Sequence, residues 1–162
     1  MEIREIADHE FGFLFDLLSE AAYIPDGVER PPKSFFHEPK VSWYVEDFGR
    51  KGDVAFVLVD GCELVGGIWS RLFSEDRGGH GFVDESTPEL GMAVFDGYRG
   101  QGFGTQLMQR LIDKLIDHGF GSVSLSVDRR NPALRLYERF GFELVREKGN
   151  AYTMVKTLSH RS

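Results

Sequence analysis

Between Val94 and Thr105 the chain reads Val-Phe-Asp-Gly-Tyr-Arg-Gly-Gln-Gly-Phe-Gly-Thr, a run with the makings of an anion site. An apolar strand pattern ends there, a glycine-rich turn follows, and an amphipathic helix begins at once. Glycines let a backbone come close to a ligand, and the first helical N–H groups have no partner within the helix. The helix dipole adds positive potential at the same point, which suits a phosphate. Two common phosphate loops do not fit. A P-loop needs Lys-Ser or Lys-Thr after its last glycine, and Thr105-Gln106 follows Gly104. A dinucleotide fingerprint needs a glycine where Thr105 stands.

Further candidates flank this turn. Downstream, residues 131–142 read as a short helix with Asn131 as N-cap, Pro132 in the first turn and Gly141 as the stop, and the helix carries Tyr137. Upstream, Glu89 is the only carboxylate of the strand that leads into the turn. Strand side chains alternate, so a shift of one residue would turn Glu89 to the opposite face.

Arg99, Gly102 and Gly104 stand where the GNAT family of N-acetyltransferases has its acyl-CoA motif. Asn131, the Leu136-Tyr137-Glu138 run and Gly141-Phe142 resemble that family's later signature, about thirty residues on. One departure is visible: the family's Asn commonly stands seven residues before the Tyr, whereas Asn131 stands six before Tyr137, so it is displaced by one or the turn is tighter. The resemblance spans roughly residues 54 to 158. It implies an α/β fold, a mixed central sheet with helices on both faces, and acetyl-CoA as co-substrate with no metal. By resemblance, the backbone of Met92, Ala93 and Val94 holds the pantetheine. Arg99, Gly100, Gln101, Gly102, Phe103, Gly104 and Thr105 take the pyrophosphate, and Asn131 and Tyr137 add further cofactor contacts.

The implied reaction is transfer of an acetyl group to a primary amine in a ternary complex, without an acetylated enzyme. Tyr137 is assigned by resemblance as the acid that protonates the departing thiolate: a phenol near ~10 serves a thiol near ~8.5 as local basicity develops. Glu89 is the first candidate for general base. Asp84, Glu85 and His80 in the preceding loop, a relayed water, or an acceptor that arrives neutral remain open. The same phosphate turn would also serve a non-catalytic acyl-CoA sensor, and Tyr137 in register favours the enzyme.

Composition bounds the rest. With 162 residues, one domain over 1–162 is expected. The net charge of −7 and the lack of a basic block argue against nucleic-acid binding. No apolar run approaches the ~20 residues that cross a membrane, and the N-terminus has no signal-peptide core, so a cytoplasmic enzyme is expected. Cys62 is the only cysteine, which rules out an internal disulfide and a multi-cysteine metal site; it reads as a half-buried strand residue. The partner is expected to be a small-molecule or peptide amine, with a homodimer as the family's common assembly.

The positioning elements follow from periodicity. A strand over 2–7 precedes a helix carrying Phe11, Leu14, Leu17, Leu18 and Ala21. A proline-rich loop covers 24–34, and a second helix is expected over 35–48. Strands at 54–59 and 64–73 meet across Asp60-Gly61. A polar excursion at 74–87 leads to the strand at 88–95. The helix after the turn carries Leu107, Met108, Leu111, Ile112, Leu115 and Ile116 on one stripe, ended by Gly119. Ser122 to Val127 alternates, which predicts one apolar face, and strands at 142–147 and 151–158 close the chain around Gly149-Asn150. Phe35, Phe36, Trp43 and Tyr44 are candidates for an aromatic lip around the acceptor, and Ser122, Ser124 and Ser126 for its slot or for close packing. His9, His37, His118 and His160 read as surface residues.

Overall fold

The computed structural model describes residues 1–159; His160 lies outside the described residues. Seven strands form one sheet in the order β1-β2-β3-β4-β5-β7-β6. They are β1 (Glu2–Glu5), β2 (Val54–Asp60), β3 (Glu63–Arg71), β4 (Glu89–Val94), β5 (Ser122–Asp128), β6 (Glu143–Lys148) and β7 (Ala151–Thr157). Every neighbouring pair is antiparallel except β4 and β5. Three helices pack on this sheet: α1 (Phe13–Ala21), α2 (Phe103–Asp117) and α3 (Leu134–Arg139).

The two faces bury separate apolar clusters. On one, Leu107, Met108, Leu111 and Leu115 of α2 meet Phe56, Ile68 and Leu90, together with Leu125, Tyr137 and Phe142. On the other, Leu14 and Leu17 of α1 meet Ala55, Trp69 and Ala93. Each fully buried leucine of the α2 stripe contributes roughly 1.5–3 kcal/mol. The stripe spaces its residues at the helical period, so one face is buried throughout. Gly119, at φ +86°, ends α2: its N–H reaches Ile116 O, and Phe120 N–H reaches Leu115 O.

Three expectations change. The helix over 35–48 is replaced by two short 3-10 turns, Lys33–His37 and Ser42–Tyr44. Pro39 forces Glu38 to an extended conformation (ψ 146°), and Lys40 adopts φ +74°, so no helix can run through. Cys62 is exposed and sits in the turn itself, because Asp60 pairs with Glu63 and leaves Gly61-Cys62 as the loop. β5 alternates as expected, but its serine face is also covered, and Ser124 is fully buried. The remaining strands and α2 fall within a few residues of their expected bounds.

Candidate active site

β4 and β5 run parallel yet pair only at Glu89 and Ser124. Beyond that point they part, while β4 stays paired with β3 as far as Val94 opposite Gly66. The backbone polar groups on the β5 side of Met92–Val94 therefore have no strand partner. They line a cleft of about 670 Å³ that runs from Leu125–Val127 past Tyr137 to the glycine turn at 97–104. Of the expected cofactor residues, Met92, Ala93, Val94, Arg99, Gly100, Gly102, Phe103, Gly104, Thr105 and Asn131 all line it.

The turn is built by backbone geometry. Gly102 caps α2 at φ +85° with no side-chain cap, so the first helical N–H groups face the cleft unmet. No heavy atom lies within 4 Å of where a Cβ at Gly102 would be, which leaves open space for a ligand to approach. Tyr98 fastens the turn to the β2–β3 loop by donating to Asp60 at 2.6 Å. Two expected contacts differ. Gln101 does not line the cleft, because its side chain turns back to donate to Gly97 O at 3.1 Å. Arg99 is held by its own surroundings, donating to Val94 O (2.6 Å), Asp96 (2.8 Å) and Glu20 (3.0 Å). Asp96, three residues earlier in the turn, supplies a competing carboxylate on the spot.

Tyr137 is buried against Phe142, ring edge to face at 5.9 Å, and it lines the cleft. Its hydroxyl makes no hydrogen bond among the described residues, and burial pushes its pKa up to about 12. Asn131 caps the turn into α3: its Oδ1 accepts Ala133 N–H at 2.9 Å, and its carbonyl accepts Leu134 N–H at 3.0 Å.

Glu89 lies on the opposite face from Tyr137, since Leu90 joins the α2 cluster and strand side chains alternate. It is 3% exposed and is not among the residues lining the cleft. The segment Gly79–Phe82 covers it. A Cβ on Gly81 would stand 2.7 Å from the Leu125 carbonyl carbon and 2.9 Å from the Glu89 carboxyl carbon, so only glycine fits between β4 and β5 there. Gly81 N–H donates to Glu89 Oε2 at 3.2 Å. Glu89 Oε1 and the Ser124 Oγ across the strand pair are both buried without a hydrogen-bond partner. Burial pushes the Glu89 pKa up to about 7; the hydroxyl of Tyr44, the Gly81 N–H and the Arg146 charge act the other way.

The other base candidates are exposed. Asp84 is held below the usual range by Ser86 and Thr87, and Glu85 accepts Glu75 N–H. His80 is exposed, and its backbone N–H donates to Tyr44 Oη at 2.7 Å. The aromatic residues do not form a lip on the cleft. Phe36 is core, Trp43 lies under the Arg77 guanidinium at 4.9 Å, and Tyr44 packs on Phe73 at 5.4 Å. The wall opposite α3 comes instead from Glu20, Tyr23, Ile24 and Arg30, at the end of α1 and just beyond. Ser122 bonds to Thr87 at 2.7 Å, and Ser126 alone of the three serines reaches the cleft. His9, His37 and His118 are exposed.

Residues 12–142 match the model of the acetyltransferase (GNAT) family. The match includes α1, which lies before the stretch that carried the sequence resemblance. The chain is 32% identical over 108 residues to the mycothiol acetyltransferase of Corynebacterium glutamicum, covering 64% of this chain and 30% of that protein. It is 37% identical over 70 residues to the ribosomal protein bS18-alanine N-acetyltransferase of Haemophilus influenzae, covering 43% of this chain and 47% of the relative. The matches therefore take in less than a third of the mycothiol enzyme and about half of the ribosomal-protein enzyme. Among solved structures, an acetyltransferase of Salmonella typhimurium with acetyl-CoA superposes at TM-score 0.70 and 19% identity, over 100% of this chain and 96% of that one. The PaiA N-acetyltransferase of Thermoplasma acidophilum with coenzyme A gives 0.68 and 16%, over 96% and 98%. A parted parallel strand pair, a glycine turn opening a helix and a family match over most of its length lead to one conclusion: the chain belongs to the GNAT acetyltransferase family.

Proposed function

We propose that this chain is an acetyl-CoA-dependent N-acetyltransferase that acetylates a primary amine directly, within a ternary complex. The observation that carries the reading is the parting of β4 and β5 beyond Glu89 and Ser124, which opens a cleft continuous with the phosphate turn and Tyr137. These residues fit acetyl-CoA. The unmet N–H groups at the start of α2 suit the pyrophosphate, and the free edge of Met92–Val94 suits an extended pantetheine. Arg99 reaches a phosphate by exchanging its carboxylate partners for it, and Asn131 borders the same path.

Bound acetyl-CoA supplies an acyl carbon already activated as a thioester. Glu89 takes the proton from the attacking amine as the carbon–nitrogen bond forms. Because its carboxylate does not line the cleft, the proton reaches it through a relayed water rather than by direct contact. Tyr137 Oη gives its proton to sulfur as the carbon–sulfur bond breaks, and solvent exchange then resets both groups. A tyrosine held near 12 stays protonated at working pH, and a glutamate near 7 is part ionised there. The acceptor is a small-molecule or peptide amine, a class supported by the alanine N-acetyltransferase among the relatives.

Initial rates with acetyl-CoA and amine varied together test the reading. Intersecting lines are expected of direct transfer; parallel lines would indicate an acetylated enzyme and overturn it.

A further inference from the structure

We propose that Arg30 binds a carboxylate of the acceptor, so that the amine acetylated here belongs to an amino acid or an acidic peptide. The inference rests on the acetyl transfer proposed above and names the acceptor class for it.

The face of the sheet that carries Glu89 is the acceptor side. Glu89 and Ala93 are separated by an even number of residues on an unbulged strand, so they share a face. Ala93 belongs to the cluster that Leu14 and Leu17 of α1 build, whereas the glycine turn opens α2 on the other face. On the α1 side the cleft wall is Glu20–Ile24 and Arg30.

That wall has no carboxylate to spare for a cationic acceptor. Glu20 is the only carboxylate of the cleft lining, and it accepts from Arg99 at 3.0 Å. Arg30 presents the reverse case. Its Nη1 donates to Ser19 O at 2.8 Å, in the last turn of α1, and its guanidinium makes no ion pair among the described residues. Asp26 and Glu29 stand in the same loop of an acidic chain and still leave it unpaired.

The bond to Ser19 leaves a whole edge of the guanidinium open. With Nη1 on a carbonyl, Nε and Nη2 remain, the pair of donors that meets a carboxylate by two parallel bonds. Arg71 shows that edge in use, with Nε and Nη2 on the two oxygens of Asp53 at 3.1 and 2.7 Å. The loop is held before any ligand arrives. Val28 N–H donates to Pro25 O at 3.1 Å, and the Tyr23 ring lies under Arg130 at 5.9 Å. Arg130 is itself bound to Asp128 at 2.8 Å, so little ordering remains to oppose binding. The other arginines of the lining are placed elsewhere: Arg99 on the glycine turn and Arg139 on α3.

The test uses acceptors matched except for carboxylate against carboxamide: alanine and alaninamide, β-alanine and β-alaninamide, and the dipeptide amides Ala-Glu and Ala-Gln. Thiol release gives kcat/KM for each with wild type, Arg30→Gln and Arg30→Lys, and calorimetry gives coenzyme A affinity. Amine basicity within a pair cancels when the proteins are compared. Wild type should prefer the acid of at least one pair. Arg30→Gln should cut that acid-to-amide ratio by about tenfold to a hundredfold, the range for hydrogen bonds to a charged group, with coenzyme A affinity unchanged. Arg30→Lys keeps the charge without the fork and should fall between. No acid preference in wild type, or a ratio unmoved in both variants, refutes the role of Arg30 and leaves the transferase standing. A loss of coenzyme A affinity as large as the loss of rate assigns Arg30 to the cofactor phosphates and also overturns the proposal. If coenzyme A binds but no amine of either kind releases thiol, the transferase reading falls and this one with it.

Discussion

Glu89 and Tyr137 stand on opposite faces of one sheet, and the gap between β4 and β5 is the way between them. One face carries a carboxylate under a glycine segment; the other carries a phenol at the wall of the cleft. On the proposed chemistry this separates the two proton transfers. The amine is addressed from one side and the sulfur from the other, so neither group can neutralise the other directly.

Tyr137→Phe should leave folding and coenzyme A affinity unchanged, because the hydroxyl makes no hydrogen bond among the described residues. The rate of acetyl transfer should fall about 100-fold or more, the usual range for losing a general acid. Stopped-flow thiol release and calorimetry on the same preparations check both parts.

Burial of Glu89 has a consequence for stability. Its folded pKa is raised above the ordinary value, so its contribution is full below pH 4.5 and is lost as pH rises toward 7. Glu89→Gln should therefore stabilise the protein increasingly between about pH 4.5 and 7 and level off above that, by up to about 3 kcal/mol. A Tm difference from wild type that does not grow over that range would contradict the assignment.

Gly81→Ala and Gly102→Ala should fail in different ways. At Gly81 the added methyl meets Leu125 and Ser126 backbone atoms at 2.7 and 2.8 Å, so β5 or the covering segment must shift, at about 1–3 kcal/mol. At Gly102 the space is open but φ is +85°, a strain of about 1–2 kcal/mol that falls where the pyrophosphate is expected. Denaturant melts should separate little between the two. Coenzyme A titration should show the larger loss in Gly102→Ala.

Glu20→Gln removes one of the two carboxylates that hold Arg99. The pair is partly exposed and worth at most about 1 kcal/mol, so coenzyme A should bind up to about fivefold tighter at low salt. The gain should shrink as salt rises. Calorimetry at two salt concentrations reads this, and unchanged affinity at low salt would show that Arg99 does not exchange Glu20 for phosphate.

How legible the site was in the sequence depended on the range of the interactions. The glycine turn and α2 were readable because glycine spacing and a 3.6-residue stripe are local signals, and Tyr137 was placed by the resemblance that its short helix carries. Glu89 is the only carboxylate of its strand, and strand alternation left both its facing and its burial open. That burial is produced by Gly79 and Gly81, whose loop lies on the sheet for tertiary reasons. The Arg99–Glu20 contact joins residues 79 apart and has no sequence signature. The expected helix over 35–48 failed on one local feature, Pro39, which an apolar count passes over. The aromatic residues nearby went to the core and to Arg77, because a surface lip and a packed corner share the same composition.

The most direct test of the central claim is thiol release from acetyl-CoA across a panel of primary amines, with wild type and Tyr137→Phe side by side. Amine-dependent release by wild type, falling sharply in Tyr137→Phe at equal acetyl-CoA affinity, is the predicted result. Tight acetyl-CoA binding with no amine-dependent release, or release that is the same in both proteins, would contradict it.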